Sequence, residues 1–216
     1  MTRYALRGYR TGAVLLTPEV FVHKFSRVSR LAIAALAVGA VLCSFNGNAG
    51  AESAEDLAPV DIVAVSGLID NVVVAEIEHA LVRSQENGAQ AVVLQVNSRG
   101  AVVSAERMAE LLTKISEADI PVAVWVGPTG ARAFGLSAQL LAVADVRAMA
   151  PGARIGYTGQ ALKVNGTEIS FGTIGAVLRT STIGFKEARK EGVLNYAGDD
   201  QGVPVVRNML LALDGI

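Results

Sequence analysis

The sequence predicts an α/β domain whose sheet is mostly parallel and built from repeated βα units. Three observations point there. Apolar runs of strand length recur at Val60–Val65, Ala91–Val96, Ile120–Val126 and Asp145–Met149. The second of these is nearly continuous, as a strand covered on both faces requires. Segments with helical periodicity separate them. Glycine-bearing turns also stand where strands end. Four strands joined by three crossover helices within about 90 residues imply right-handed connections.

The elements follow in order. Val60–Val65 alternates and reads as the first strand, ended by Ser66-Gly67. Asp70 is placed to cap a helix over Asn71–Asn87, which Asn87-Gly88 stops. After Ala91–Val96 the loop Asn97-Ser98-Arg99-Gly100-Ala101 leads to a helix over Ser104–Ala118. Ile120–Val126 carries Pro121 near its start, where a missing N–H does least harm, and Trp125 as a core residue. The turn Gly127-Pro128-Thr129-Gly130 then opens an Ala/Leu-rich helix over Arg132–Ala144, and a fourth strand ends at Ala150-Pro151-Gly152. Beyond Gly156, Asn165-Gly166 marks a hairpin. A short helix at Glu187-Ala188 runs into a late strand near Gly192-Val193-Leu194. Val205–Leu213 closes the domain as a helix, with Pro204 suited to its first turn.

The N-terminus is of another kind. Residues 1–51 hold six Arg or Lys against one acid, Glu19, then an apolar core of 15 residues, Leu31–Phe45. Ala49-Gly50-Ala51 supplies a small-residue cleavage site. As a helix that core would span about 22 Å, short of the ~30 Å of hydrocarbon in a bilayer. Export across the plasma membrane with cleavage, giving a secreted protein, is the first reading; an uncleaved anchor is the second. Residues 52–59 form a flexible lead-in, and the domain occupies 60–216.

Composition removes several function classes. With 51% hydrophobic and 18% charged residues and a net charge of −1, the chain has no electrostatic footprint for nucleic acid. Its single cysteine, Cys43, falls in the leader and excludes an internal disulfide. No metal-ligand spacing and no cofactor motif are present. His23 lies in the leader and His79 in the first helix, so no Ser-His-Asp arrangement is evident.

One stretch carries more. Residues 127–156 read GPTGARAFGLSAQLLAVADVRAMAPGARIG. A strand, a glycine turn and a helix start place backbone N–H groups where an oxyanion can be held. The stretch resembles the membrane-bound, Clp-protease-class serine peptidases of the NfeD (nodulation efficiency D) type. Pro128, Gly130, Ala131 and Ala133 match that family's turn, and Ala148-Met149-Ala150-Pro151-Gly152 with Ile155-Gly156 match its following strand. The loop at 97–101 resembles the family's proline–glycine–glycine loop: Gly100 matches the first glycine, while Arg99 and Ala101 replace proline and the second glycine. Glu187-Ala188 and Gly192-Val193-Leu194 fit a later element, with Ile183-Gly184 where the family has leucine and threonine.

The resemblance implies a Clp protease/crotonase-like α/β fold and a serine–lysine dyad in which a desolvated lysine activates the serine. The family's nucleophile falls on Gly135, which has no side chain to acylate. Ser137 lies two residues on, about 200° round a helix. The only lysine between the Ile155-Gly156 turn and the late helix element is Lys163, at the expected hairpin. The resemblance therefore implies a degenerate, non-proteolytic homologue that acts as a binding or assembly module. The other reading is an active endopeptidase using Ser137 and Lys163 on membrane-associated proteins. In either case the N–H groups of Gly100, Gly135 and Leu136 would form an oxyanion hole, with Arg99 and Arg132 beside it. The implied partners are a peptide or membrane protein and further copies of the chain, with no cofactor, metal or nucleic acid.

Overall fold

The computed structural model describes residues 58–196, 198, 201–211 and 213. The leader, with Cys43 and His23, lies outside them. Among the described residues no helix is long and apolar enough to cross a membrane.

A seven-stranded sheet organises the domain. Its axis is β2 (Ala91–Ala101), against which β1 (Val60–Ile69) pairs in parallel along its whole length. The opposite side of β2 serves two partners in succession. β3 (Val122–Val126) pairs with Val92–Val96, and then β4 (Arg132–Phe134) pairs at Ser98. The sheet therefore divides. One branch continues from β3 to β5 (Val146–Met149), the other from β4 to β6 (Arg154–Gly156) and β9 (Thr182–Gly184). Only β9 runs antiparallel in this sheet.

The chain passes from the first branch to the second twice. It leaves β3 at Val126 to return as β4, and leaves β5 at Met149 to return as β6. Backbone bonds clip the two turns together, from Gly130 N–H to Pro151 O (3.1 Å) and from Arg154 N–H to Ala131 O (3.0 Å). A small hairpin, β7 (Lys163–Val164) and β8 (Thr167–Glu168), stands apart from the sheet. Its turn residues Asn165 and Gly166 have φ of 51° and 78°, the positive values that a two-residue hairpin turn needs.

The helices sit where their caps put them. α1 (Asn71–Glu86) starts at Asp70, whose Oδ1 accepts from Val72 N–H and Val73 N–H at 2.9 Å. α2 (Ala105–Ser116) starts at Ser104, whose Oγ accepts from Arg107 N–H. Each buries an apolar stripe: Val74, Ile77, Ala80 and Leu81 on α1, and Met108, Leu111, Leu112 and Ile115 on α2. Trp125 is buried and its Nε1–H donates to Val203 O at 2.9 Å, fixing the C-terminal segment to the core.

Three expectations change. β1 passes Ser66-Gly67 and β2 passes Val96, because a bulge at Gly67/Leu68 lets the two strands stay in register to Ile69 and Ala101. The helix expected over 132–144 is three elements: β4, a 3-10 turn (Gly135–Gln139) and one helical turn, α3 (Leu140–Val143). Pairing of β4 with β6 holds Arg132–Phe134 extended, and Gly135 at φ 62° breaks the strand where the 3-10 turn begins. Finally, Val193 and Leu194 are buried but not in a strand; the late strand is β9, ahead of α5 (Phe185–Lys190). β8 and α4 (Gly175–Leu178) precede β9, and α6 (Val206–Leu210) follows α5.

Candidate functional site

Because β1, β2, β4 and β6 are parallel, their carboxyl ends emerge along one edge of the second branch. Ligands of parallel α/β sheets bind outside such ends. Leu68, Gly100, Phe134-Gly135 and Gly156-Tyr157 all stand there. The contacts are close. A Cβ placed on Gly135 would lie 3.5 Å from Gly100 Cα and 4.0 Å from Tyr157 O. A Cβ placed on Gly100 would lie 3.9 Å from both Leu68 Cδ2 and Phe134 O.

Space therefore exists for a side chain at position 135. What excludes an ordinary one is the backbone: φ 62° is left-handed and favours glycine. Leu136 follows, partly buried against the core. Ser137 is fully buried. Its hydroxyl donates to Phe134 O at 2.7 Å and reaches Ser98 O at 3.4 Å, so both partners are backbone carbonyls. Lys163 is exposed on β7 and is neither of them. The structure thus places Ser137 beneath the edge and Lys163 on the outlying hairpin.

The Gly100 N–H is also engaged. Ser98 Oγ accepts it at 3.3 Å and donates to Gly100 O at 2.8 Å, closing a small buried ring inside β2. An oxyanion role for that N–H requires this contact to open. Arg99 and Arg132 are both exposed, on β2 and β4. Arg132 N–H is held by Asn97 Oδ1 at 3.1 Å, which ties the start of β4 to β2. Asp145 Oδ2 accepts Val122 N–H at 2.8 Å, tying the start of β5 to β3. His79 is an exposed residue of α1, away from this edge.

Sequence reasoning missed the residues that shape the edge. Buried Gln139 clamps the segment after β6: its Nε2 donates to Thr158 O and Gln160 O, each at 2.9 Å, and its Oε1 accepts Leu162 N–H. Tyr157 stands edge-on to Phe134, with ring centroids 5.6 Å apart. A buried glutamine in an Ala/Leu-rich run is a signal that was legible, since such an amide needs several partners. Beyond the edge, a cavity of about 400 Å³ lies between the hairpin and α4, lined by Gln139, Thr158, Glu168 and Arg179 among others. Among the described residues no cluster of His, Cys, Asp or Glu can hold a metal ion.

A divided, mostly parallel sheet with glycine turns at its strand ends defines the Clp protease/crotonase-like fold, and the chain has it. No protein-family model and no curated protein matches the sequence. Solved structures do match. One is the 1510-N membrane protease specific for a stomatin homolog from Pyrococcus horikoshii, with TM-score 0.56 and 18% identity over 71% of this chain and 77% of that one. A lysine-to-alanine variant of the 1510-N membrane-bound stomatin-specific protease, in complex with a substrate peptide, gives TM-score 0.57 and 19% identity over 70% and 78%. An enoyl-CoA hydratase from Shewanella pealeana gives TM-score 0.50 and 18% identity over 68% and 65%. At these identities the likeness is one of fold.

Proposed function

We propose that this chain is a non-hydrolytic member of the Clp-protease-class fold that binds an extended polypeptide, at or outside the membrane. The observation that carries the reading is the pair at 135 and 137. The position that sequence resemblance gives to the nucleophile is a left-handed glycine, and the serine two residues on is buried with its hydroxyl committed to backbone carbonyls. Nucleophilic catalysis needs a reachable hydroxyl and a base beside it. The burial of Ser137 and the exposure of Lys163 support a reading without that chemistry. What remains is a row of strand ends with glycines and exposed arginines, suited to holding a backbone carbonyl or a carboxylate.

A polypeptide ligand is favoured by the 1510-N protease structures, which match at higher TM-scores than the enoyl-CoA hydratase. The 1510-N protease is described as specific for a stomatin homolog and was captured with a substrate peptide. The leader reading supports placement across or on the plasma membrane, as a secreted or anchored protein. Clp-class domains assemble, so a homo-oligomer is part of the proposal.

The test is labelling of the purified protein with a fluorophosphonate serine probe, with mass spectrometry to locate any adduct and an active peptidase of the class as control. No adduct is expected. An adduct on Ser137 that disappears in Ser137→Ala would instead establish an active serine peptidase, with Lys163 as its candidate base.

A further inference from the structure

Among the described residues two that are not glycine have positive φ, Asn165 and Tyr157. Asn165 belongs to the hairpin turn, where asparagine is common. Tyr157 has no such explanation. At φ 51° a bulky aromatic residue is a genuine outlier, and outliers of this kind gather at ligand sites. Its backbone is pinned on both sides: Tyr157 N–H donates to Ser181 O at 3.1 Å, and Thr158 N–H to Leu178 O at 2.9 Å. Glycine or asparagine would satisfy the same backbone with less strain.

Burial does not account for the ring either, since Tyr157 is 53% exposed. The ring stands edge-on to Phe134 just beyond β6, while the Tyr157 carbonyl faces Gly135. Across the second branch the strands run β1, β2, β4, β6. Leu68 on β1, also 53% exposed, therefore flanks Gly100 and Gly135 from the other side, with its Cδ2 near Gly100.

We infer that Tyr157 is a specificity-determining residue. With Leu68 it forms two apolar jaws around Gly100 and Gly135, and these select a polypeptide that presents a large aliphatic or aromatic side chain between them. The inference rests on the polypeptide-binding reading above. It adds which side chain is chosen and which residue chooses it. Strain in the Tyr157 backbone is retained because a flexible or smaller residue would leave one jaw missing.

The experiment uses the purified full chain on an immobilised positional-scanning peptide library, a glycine–serine frame with each natural residue varied at one central position. The native protein is expected to retain frames carrying Leu, Phe, Tyr or Trp at that position. Tyr157→Gly should reduce retention of those frames about tenfold, the size of one aromatic anchor, while its thermal midpoint stays equal or rises. Tyr157→Phe should keep the preference. Tyr157→Asn, which also tolerates positive φ, reads the same loss if the glycine variant does not fold. An unchanged side-chain preference in the folded Gly or Asn variant overturns the inference and leaves the polypeptide reading standing. A native protein that retains no peptide overturns both.

Discussion

The two branches of the sheet are built on different principles. In the first, β3 is buried at all five positions and α1 and α2 lay apolar stripes against the core. Many aliphatic sequences would serve there, because burial at roughly 25 cal/mol per Å² is non-directional. In the second, β4, β6 and β9 have three residues each. Ladders so short are supplemented by side chains that bond to backbone. Asn97 holds Arg132 N–H, Gln139 clamps 158–162, and the Arg154 guanidinium donates to Thr182 O at 2.8 Å and to Thr182 Oγ1. The first branch rests mainly on composition, with Asp145 and Asn195 bonding to its backbone, and the second mainly on particular residues. The candidate site lies on the second.

The sharpest way to break that comparison is to make one substitution in each branch. In the second, Gly156 at φ 149° has the Ser181 carbonyl where a Cβ would go, so Gly156→Ala must push β9 away from β6. A loss of about 4 kcal/mol in urea unfolding is expected, in the range of overpacking plus backbone strain. Where β2 pairs with the first branch, Leu94→Ala opens a cavity in the fully buried core and should cost about 3 kcal/mol. A conservative aliphatic exchange such as Leu94→Met should be tolerated, at under about 1.5 kcal/mol. If Gly156→Ala proves as mild as Leu94→Met, the second branch is not specified by individual residues and the contrast fails.

The same contrast explains what could be read from the sequence. Strand runs at 60–65, 91–96 and 120–126 and the capped helices after Asp70 and Ser104 were legible, because periodicity and caps are local signals. The Clp protease/crotonase-like fold followed from motifs at the turns. The second branch was read poorly. Residues 132–144 have helical composition, yet β4 exists because Ala133 pairs with Ser98 on one side and Ile155 on the other, neither of them near in sequence. Asn97-Ser98-Arg99-Gly100 has the residues of a loop but remains in the sheet, since Ser98 is buried and satisfies its own strand. Gly135 was singled out from the sequence for its missing side chain. Its left-handed backbone, and the shape that Tyr157 and Leu68 give the edge, became visible only with coordinates.

Ser137 ties the second branch to the axial strand β2 and offers a smaller effect. Its hydroxyl reaches from the 3-10 turn to Phe134 O and to Ser98 O on β2. Ser137→Ala removes a buried hydrogen bond without a clash, so the expected loss is about 1.5 kcal/mol. The measurement is urea unfolding, read together with binding of whatever peptide the native chain retains. Loss of stability with peptide binding intact is the expected outcome. Lost binding at native stability would place Ser137 in the ligand site rather than in the scaffold.

The smallest effect belongs to the seam between α1 and α2, which an ion pair joins. Arg107 on α2 grips Glu78 on α1 through both guanidinium nitrogens, at 2.7 and 2.8 Å, and Lys114 Nζ adds a contact at 3.1 Å. The Arg107 hydrogen bond holds the Glu78 carboxyl below its ordinary range, against the opposing pull of partial burial. A carboxyl whose pKa is lower folded than unfolded binds fewer protons in the native state, so its contribution is complete above its unfolded pKa. That contribution fades as pH falls through the ordinary glutamate range and is gone below the folded pKa. Glu78→Gln should therefore cost about 1 kcal/mol at neutral pH, the upper end for a partly exposed pair. Below both pKa values the difference from the native chain should vanish, because Glu78 is then neutral in both states. Unfolding midpoints for the two proteins that converge with acid would show that the Glu78 charge stabilises the α1–α2 seam; midpoints that stay equally far apart at every pH would mean that Glu78 contributes through hydrogen bonding and packing instead of its charge.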